Sequence, residues 1–241
     1  MITVELKGGI GNQLFQLAFL DYISELNNIS PFIDQSGPIS AHSRSDYFDT
    51  IFSNWKIYNH LPIGEVLYES NEYIINKDIH TKINGYFQNY KYILPTFISK
   101  LTFDSSILSK YPDIHNSIFI HIRGGDYHHP RFSHIFYFDM DQYYQHAISM
   151  FPNSTFVVFT NDIDYAKSKS FLKNYSFIEE NEIDSLFLMS KCAGGICANS
   201  SFSWWGAYLN QNRQIILPSK WINYDLPFVN YYFKDSIVVD V

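Results

Sequence analysis

Between residues 117 and 217 the chain alternates short, continuously apolar runs with stretches whose apolar residues recur at helical spacing. Ser117 to Ile122, Thr155 to Thr160, Tyr175 to Ile178, Gly195 to Ala198 and Gln214 to Leu217 read as strands. Asp141 to Met150, Ile163 to Leu172, Ile183 to Cys192 and Phe202 to Asn210 read as helices. A strand that is apolar throughout must be covered on both faces. The architecture that does this for several strands in a row is a doubly wound parallel sheet with helices on either side.

The N-terminus follows the same grammar once. Ile2 to Leu6 reads as a strand and Lys7-Gly8-Gly9-Ile10-Gly11 as a turn, and the apolar positions Leu14, Leu17, Ala18 and Leu20 predict a helix up to Asn27 and Asn28. Phe32-Ile33-Asp34 reads as the start of the next strand, and Gln35 to about Lys82 has no periodic stretch that assigns it. A boundary near residues 95–115 predicts two α/β lobes, 1–105 and 106–241, with a cleft between them.

The chain is acidic, with 17 Lys+Arg against 24 Asp+Glu, and its cations are scattered, so it lacks the footprint of a nucleic-acid binder. Its 46% hydrophobic content is ample for a packed core. No apolar run reaches the ~20 residues that cross a bilayer, and the first strand begins without the basic start of a signal peptide. Cys192 and Cys197 read as buried thiols of a reducing compartment. A cytoplasmic location is the expectation.

Three loops carry chemistry. Gly8-Gly9-Ile10-Gly11-Asn12 lies between a strand and a helix, where backbone N–H groups stabilise an anion. With Asp34 it suggests a dinucleotide fold, but Leu14 stands where G-x-G-x-x-G needs its third glycine. A tight turn with positive φ explains the same residues. His121-Ile122-Arg123-Gly124-Gly125-Asp126-Tyr127 follows the central strand of the second lobe, where ligands of open α/β sheets sit. A guanidinium there suits a pyrophosphate, and Asp126 either accepts a proton or orients Arg123 or His121. Asn199-Ser200-Ser201-Phe202 opens a helix after the strand Gly195 to Ala198, with hydroxyls and N–H groups facing the same end of the sheet.

Other features have plainer explanations. His121, His128, His129 and His134 crowd together but match no zinc spacing. Asp139-Met140-Asp141 has the D-x-D form of metal-dependent sugar-nucleotide transferases, at a position where aspartates also favour a helix start. Thr160-Asn161-Asp162 ends a strand and either meets a base or ribose or makes a turn.

Together these segments resemble the α-1,2-fucosyltransferases of glycosyltransferase family 11. The resemblance rests on GGIGNQLFQ from Gly8, on Gly85-Tyr86-Phe87-Gln88 with Tyr90 and Tyr92, and on the HIRGGDY loop. It continues through DSLFLMS from Asp184, SSFSWWGA from Ser200 and Pro218-Ser219-Lys220-Trp221. The resemblance implies a GT-B-like fold of two Rossmann-like lobes. It implies inverting transfer of L-fucose from GDP-fucose to a glycan hydroxyl, α-1,2 to a galactose-type acceptor, with no cofactor and no essential metal.

It further implies that Arg123 assists the leaving group, with Asp126 or His121 as the base unless the departing phosphate serves. Gly9, Gly11, Asn12, Gln13, Asn161, Asp162, Asp184, Ser200, Ser201 and Phe202 would bind the donor. Two departures stand out. Gly124 occupies the place of the family's second arginine, and Thr160-Asn161-Asp162 replaces its serine and paired aspartates. A different sugar-nucleotide donor, a non-catalytic glycan- or nucleotide-binding relic, and a nicotinamide oxidoreductase are the rival readings.

Overall fold

The computed structural model describes residues 1–36, 46–210, 214–225 and 229–241. The chain divides into two compact units, Met1–Phe103 with Leu226–Tyr231, and Asp104–Asp225 with Tyr232–Val241. Both are α/β with parallel sheets.

In the N-terminal unit, β1 (Ile2–Val4) leads into α1 (Ile10–Asn27), and β2 (Glu65–Tyr68), β3 (Thr81–Asn84) and α2 (Pro95–Ile98) follow. The strand order is β1-β3-β2, all parallel. α1 is buried along most of its length, from Ile10 through Ser24, so its stability comes from packing rather than a polar cap. It ends where Asn28 adopts a left-handed conformation (φ 51°, ψ 54°), the geometry that lets the last turn's carbonyls be met by Asn28 and Ile29 N–H. The expected strand at Phe32–Asp34 does not form. Pro31 and Ile33 make isolated bridges to Ile2 and Ile57, and Asp34 is drawn to Ser36 and Lys82.

The second unit runs β4 (Ser117–Ile122), α3 (Ser133–Phe136), α4 (Asp141–Ser149), β5 (Thr155–Thr160), α5 (Ile163–Ser168), β6 (Ser176–Ile178) and α6 (Glu182–Lys191). It continues with β7 (Gly194–Ile196), α7 (Ser201–Tyr208), β8 (Ile215–Pro218) and β9 (Ser236–Val239). The strand order β6-β5-β4-β7-β8-β9 is wholly parallel. Counted from β4 this is 3-2-1-4-5-6, the Rossmann order, which reverses between β4 and β7.

β4 is buried at every residue. Ile118, Ile120 and Ile122 face a core that includes Tyr143, Tyr144 and Ala147 of α4. The alternate residue Phe119 meets Phe159 edge-on. Trp204 and Trp205 of α7 are fully buried. Cys192 and Cys197 are free, buried thiols. The single helix expected over 163–172 is broken after Ser168, because Lys169 turns extended (φ −79°, ψ 115°) and a 3-10 turn takes up Ser170–Leu172. Among the described helices, none is long and apolar enough to cross a membrane.

Candidate functional site

The reversal of strand order fixes where a ligand can sit in the second unit, at the carboxyl ends of β4 and β7. The loops leaving these two strands are the HIRGGDY and Asn199-Ser200-Ser201 segments, and they are tied together. Tyr127 Oη–H donates to the Asn199 carbonyl at 2.9 Å. The Asn199 carboxamide in turn donates to the Phe136 and Trp221 carbonyls, each at 2.9 Å. Burial pushes the Tyr127 phenol up to about 12, against the opposing pull of the Arg123 cation, so it stays a donor at any working pH.

Arg123 stands at the mouth of this arrangement. Its guanidinium donates to Asp126 Oδ1 at 2.7 Å and lies over the Tyr127 ring, 5.0 Å from its centroid. Nε is buried without a hydrogen-bond partner among the described residues. A guanidinium with five donors, one of them buried and unmatched, has capacity left for an anion. Beside it lies a pocket whose walls include Tyr137, Phe138, Tyr165, Asp141 and Lys169. Nothing in the sequence marks these five as a group beyond the aromatic run Phe136-Tyr137-Phe138.

In the loop that Tyr127 ties down, Ser200 is the N-cap of α7, its hydroxyl accepting from Phe202 N–H at 3.4 Å. Ser201 and Phe202 form the first turn of that helix, whose N-terminus favours negative charge. The Phe202 ring packs 5.5 Å from the ring of His121. His121 itself is in the interior, only 2% exposed, with Nδ1 lacking a hydrogen-bond partner among the described residues.

Burial, with the Arg123 cation adding to it, lowers the His121 pKa from its ordinary 6.5 to about 3. The folded state thus resists a proton that the unfolded chain accepts, and stability falls as pH drops from about 6.5 towards 3. The upper bound on this one group's contribution is about 5 kcal/mol. We expect the urea midpoint of the wild type to fall more steeply between pH 6.5 and 4 than that of His121→Asn. Parallel curves would contradict it.

Asn161 and Asp162 lie at the end of β5, alongside the glycine pair. Gly124 N–H donates to Asn161 Oδ1, and Gly125 N–H to Asp162 Oδ2, both at 2.9 Å. Asp184 sits in the first turn of α6, bonded to Asn181 through its amide and its carboxylate. The two D-x-D aspartates do not converge. Asp139 Oδ1 accepts the Asp141 amide, and Asp141 pairs with Lys169 at 2.7 Å. Among the described residues no three His, Cys, Asp or Glu side chains gather as a metal cage would require.

The glycine loop belongs to the N-terminal unit and is held from within it. Gly8 takes φ +75°, and a Cβ there would lie 2.4 Å from Asn12 Nδ2. Gln13 Nε2 donates to the Gly8 carbonyl at 3.0 Å, and Asn12 Oδ1 accepts from Gln88 Nε2 at 2.9 Å. Gly11 and Gln13 are buried, whereas Gly9 and Asn12 are half-buried. The second unit therefore gathers Arg123, Asp126, Ser200, Ser201 and Phe202 about one strand-order reversal, with Asn161 and Asp162 behind the loop.

The glycosyltransferase family 11 profile matches residues 91–237, which takes in all of these second-unit residues. The chain belongs to glycosyltransferase family 11. An α-1,2-colitosyltransferase of Escherichia coli is 30% identical to this family 11 chain, the match covering 92% of each. The O-antigen biosynthesis glycosyltransferase WbnK, also of E. coli, is 35% identical over 44% of this chain and 39% of its own length.

Solved structures support the fold at low identity. The Bradyrhizobium fucosyltransferase NodZ superposes with a TM-score of 0.57 at 12% identity, over 86% of this chain and 93% of its own. A family 9 glycosyltransferase from Veillonella parvula gives 0.52 at 12% identity, over 99% of this chain and 86% of its own. The family 11 chain is thus a glycosyltransferase of GT-B-like fold.

Proposed function

We propose that the protein is an inverting transferase moving L-fucose from GDP-fucose to a hydroxyl of a glycan, α-1,2 to a galactose-type acceptor. The observation that carries the reading is the Arg123 guanidinium. It stands at the strand-order reversal, its buried Nε lacks a partner, and the N-terminus of α7 begins from the loop tied to its own. NodZ has been soaked with GDP-fucose, which supports a GDP-sugar donor for the shared fold.

In this reading Arg123 takes up the charge that develops on the departing diphosphate. Ser200, Ser201 and the Phe202 N–H hold the same group from the other side. Asp126, half-buried where His121 is wholly buried, meets the acceptor hydroxyl. When Arg123 turns to the diphosphate, the Asp126 carboxylate loses its partner and can accept the hydroxyl's proton. His121 then positions the loop from beneath. One cation and one helix N-terminus facing a diphosphate supply the neutralising charge that a metal would otherwise bring, so no essential metal or other cofactor is proposed. The acceptor is assigned to the N-terminal unit, with Gly9 and Asn12 its accessible loop residues.

A second reading is favoured by the colitosyltransferase relative, in which the moved sugar is colitose, an L-fucose lacking the 3-hydroxyl. A site that hydrogen-bonds that hydroxyl rejects the deoxy sugar strongly, whereas an apolar one does not. Comparison of kcat/KM for GDP-fucose and GDP-colitose separates the two. A preference for GDP-fucose of at least ~100-fold supports the first reading, and a preference for GDP-colitose replaces it with the second.

A further inference from the structure

Arg123 is followed by two glycines, a sequence that by itself leaves the arginine on a loose tether. The structure removes that freedom from one direction. β4 and β5 pair in register up to Ile122 and Thr160, so the residues after each strand emerge side by side. Asn161 uses one carboxamide on both faces of the Gly124 backbone, accepting from its N–H at 2.9 Å and donating to its carbonyl at 3.4 Å. Asp162 divides its carboxylate: Oδ2 accepts from Gly125 N–H at 2.9 Å, while Oδ1 caps α5 by accepting from Tyr165 N–H at 3.1 Å.

The fit leaves no room for a side chain. A Cβ on Gly124 would fall 2.8 Å from Asp162 Cβ and 2.9 Å from Tyr165 Cδ1. Gly125 takes φ +57°, and a Cβ there would meet Asn161 Nδ2 at 2.9 Å. The absence of a second arginine at position 124 and the Asn161-Asp162 pair are therefore two halves of one arrangement.

We propose that Asn161 and Asp162 are positioning residues that clamp the Gly124-Gly125 backbone and so aim Arg123, and that they make no contact with the donor's base. The Asn161 carboxamide oxygen and both Asp162 carboxylate oxygens are engaged by the loop or by α5, which leaves Arg123 as the group of this loop that meets the diphosphate. The inference rests on the proposed role of Arg123 but not on which nucleotide the donor carries.

The test compares the wild type with Asn161→Ala and Asn161→Asp, the latter keeping an acceptor for the Gly124 amide. Asp162 is left intact because it also caps α5. Hydrogen exchange of the peptide containing Gly124 and Gly125 should quicken about tenfold or more in N161A and stay near wild type in N161D. The preference for GDP over GMP should fall about tenfold in N161A, and N161A should add nothing to that loss when Arg123→Ala is already present.

Unchanged exchange in N161A overturns the clamp. So does an equal loss of GDP and GMP binding with altered base selectivity, which would make Asn161 a base contact. If the protein binds uridine nucleotides instead, the GDP-donor reading fails, and UDP against UMP tests the clamp in the same way.

Discussion

Arg123→Ala should transfer fucose at least ~100-fold more slowly than the wild type, the scale of losing one preorganised donor to developing negative charge. That is about 2.7 kcal/mol of transition-state stabilisation. The loss should fall mainly on kcat, because the charge on the diphosphate grows as the sugar leaves. Arg123→Lys should recover little of it. An ammonium keeps the charge but cannot also reach Asp126, cover the Tyr127 ring and present a buried Nε. Arg123 lies at the end of a strand and not in the core, so the melting temperature should hardly change. Near-normal turnover by the alanine variant would remove Arg123 from the mechanism.

The second large effect concerns folding. Gly195 of β7 lies against the ring of Phe119 on the neighbouring strand, and a Cβ there would come within 2.1 Å of Phe119 Cε1. Phe119 is fully buried and packs edge-on against Phe159, so the ring has nowhere to go. Gly195→Ala should therefore destabilise the protein by about 3 kcal/mol, the upper range for overpacking a filled core. Phe119→Leu introduced with it should return part of that stability, the two changes being strongly non-additive. Urea unfolding of the four chains measures this. A Gly195→Ala variant as stable as the wild type would contradict the close packing of β4 against β7.

The central strands of the second unit were the most legible in sequence, β4, β7 and β8 being buried at every residue. β4, β5, β7 and β8 are central strands of a parallel sheet, and their apolar runs admit little else. β2 and β3 were not legible. Glu65-Val-Leu-Tyr and Thr81-Lys-Ile-Asn are four residues each, half-exposed or polar at alternate positions, and resemble loop. β9 escaped for the same reason, since Ile237 and Val238 are exposed at the sheet edge. Phe32-Ile33 misled in the opposite sense: both are buried, but only through single bridges rather than a ladder.

The site divides along similar lines. Arg123 and Ser200 could be placed because each follows a recognisable strand, and strand ends are where an α/β sheet presents its ligands. What Asn161 and Asp162 do could not be read. Their partners are glycine amides 37 residues away in sequence, and nothing local records that pairing. The break after Ser168 was hidden likewise, since Lys169 is drawn out of the helix beside its pairing with Asp141, 28 residues earlier.

The most direct test of the account is nucleotide release by the purified protein, in EDTA, with a galactoside acceptor. GDP-fucose, GDP-mannose, UDP-galactose and UDP-glucose would be offered one at a time, and NAD binding would be followed by thermal shift. The account predicts acceptor-dependent release of GDP from GDP-fucose, undiminished by the chelator. Release only from a UDP-sugar, a requirement for added Mn²⁺ or Mg²⁺, or stabilisation by NAD alone would contradict it.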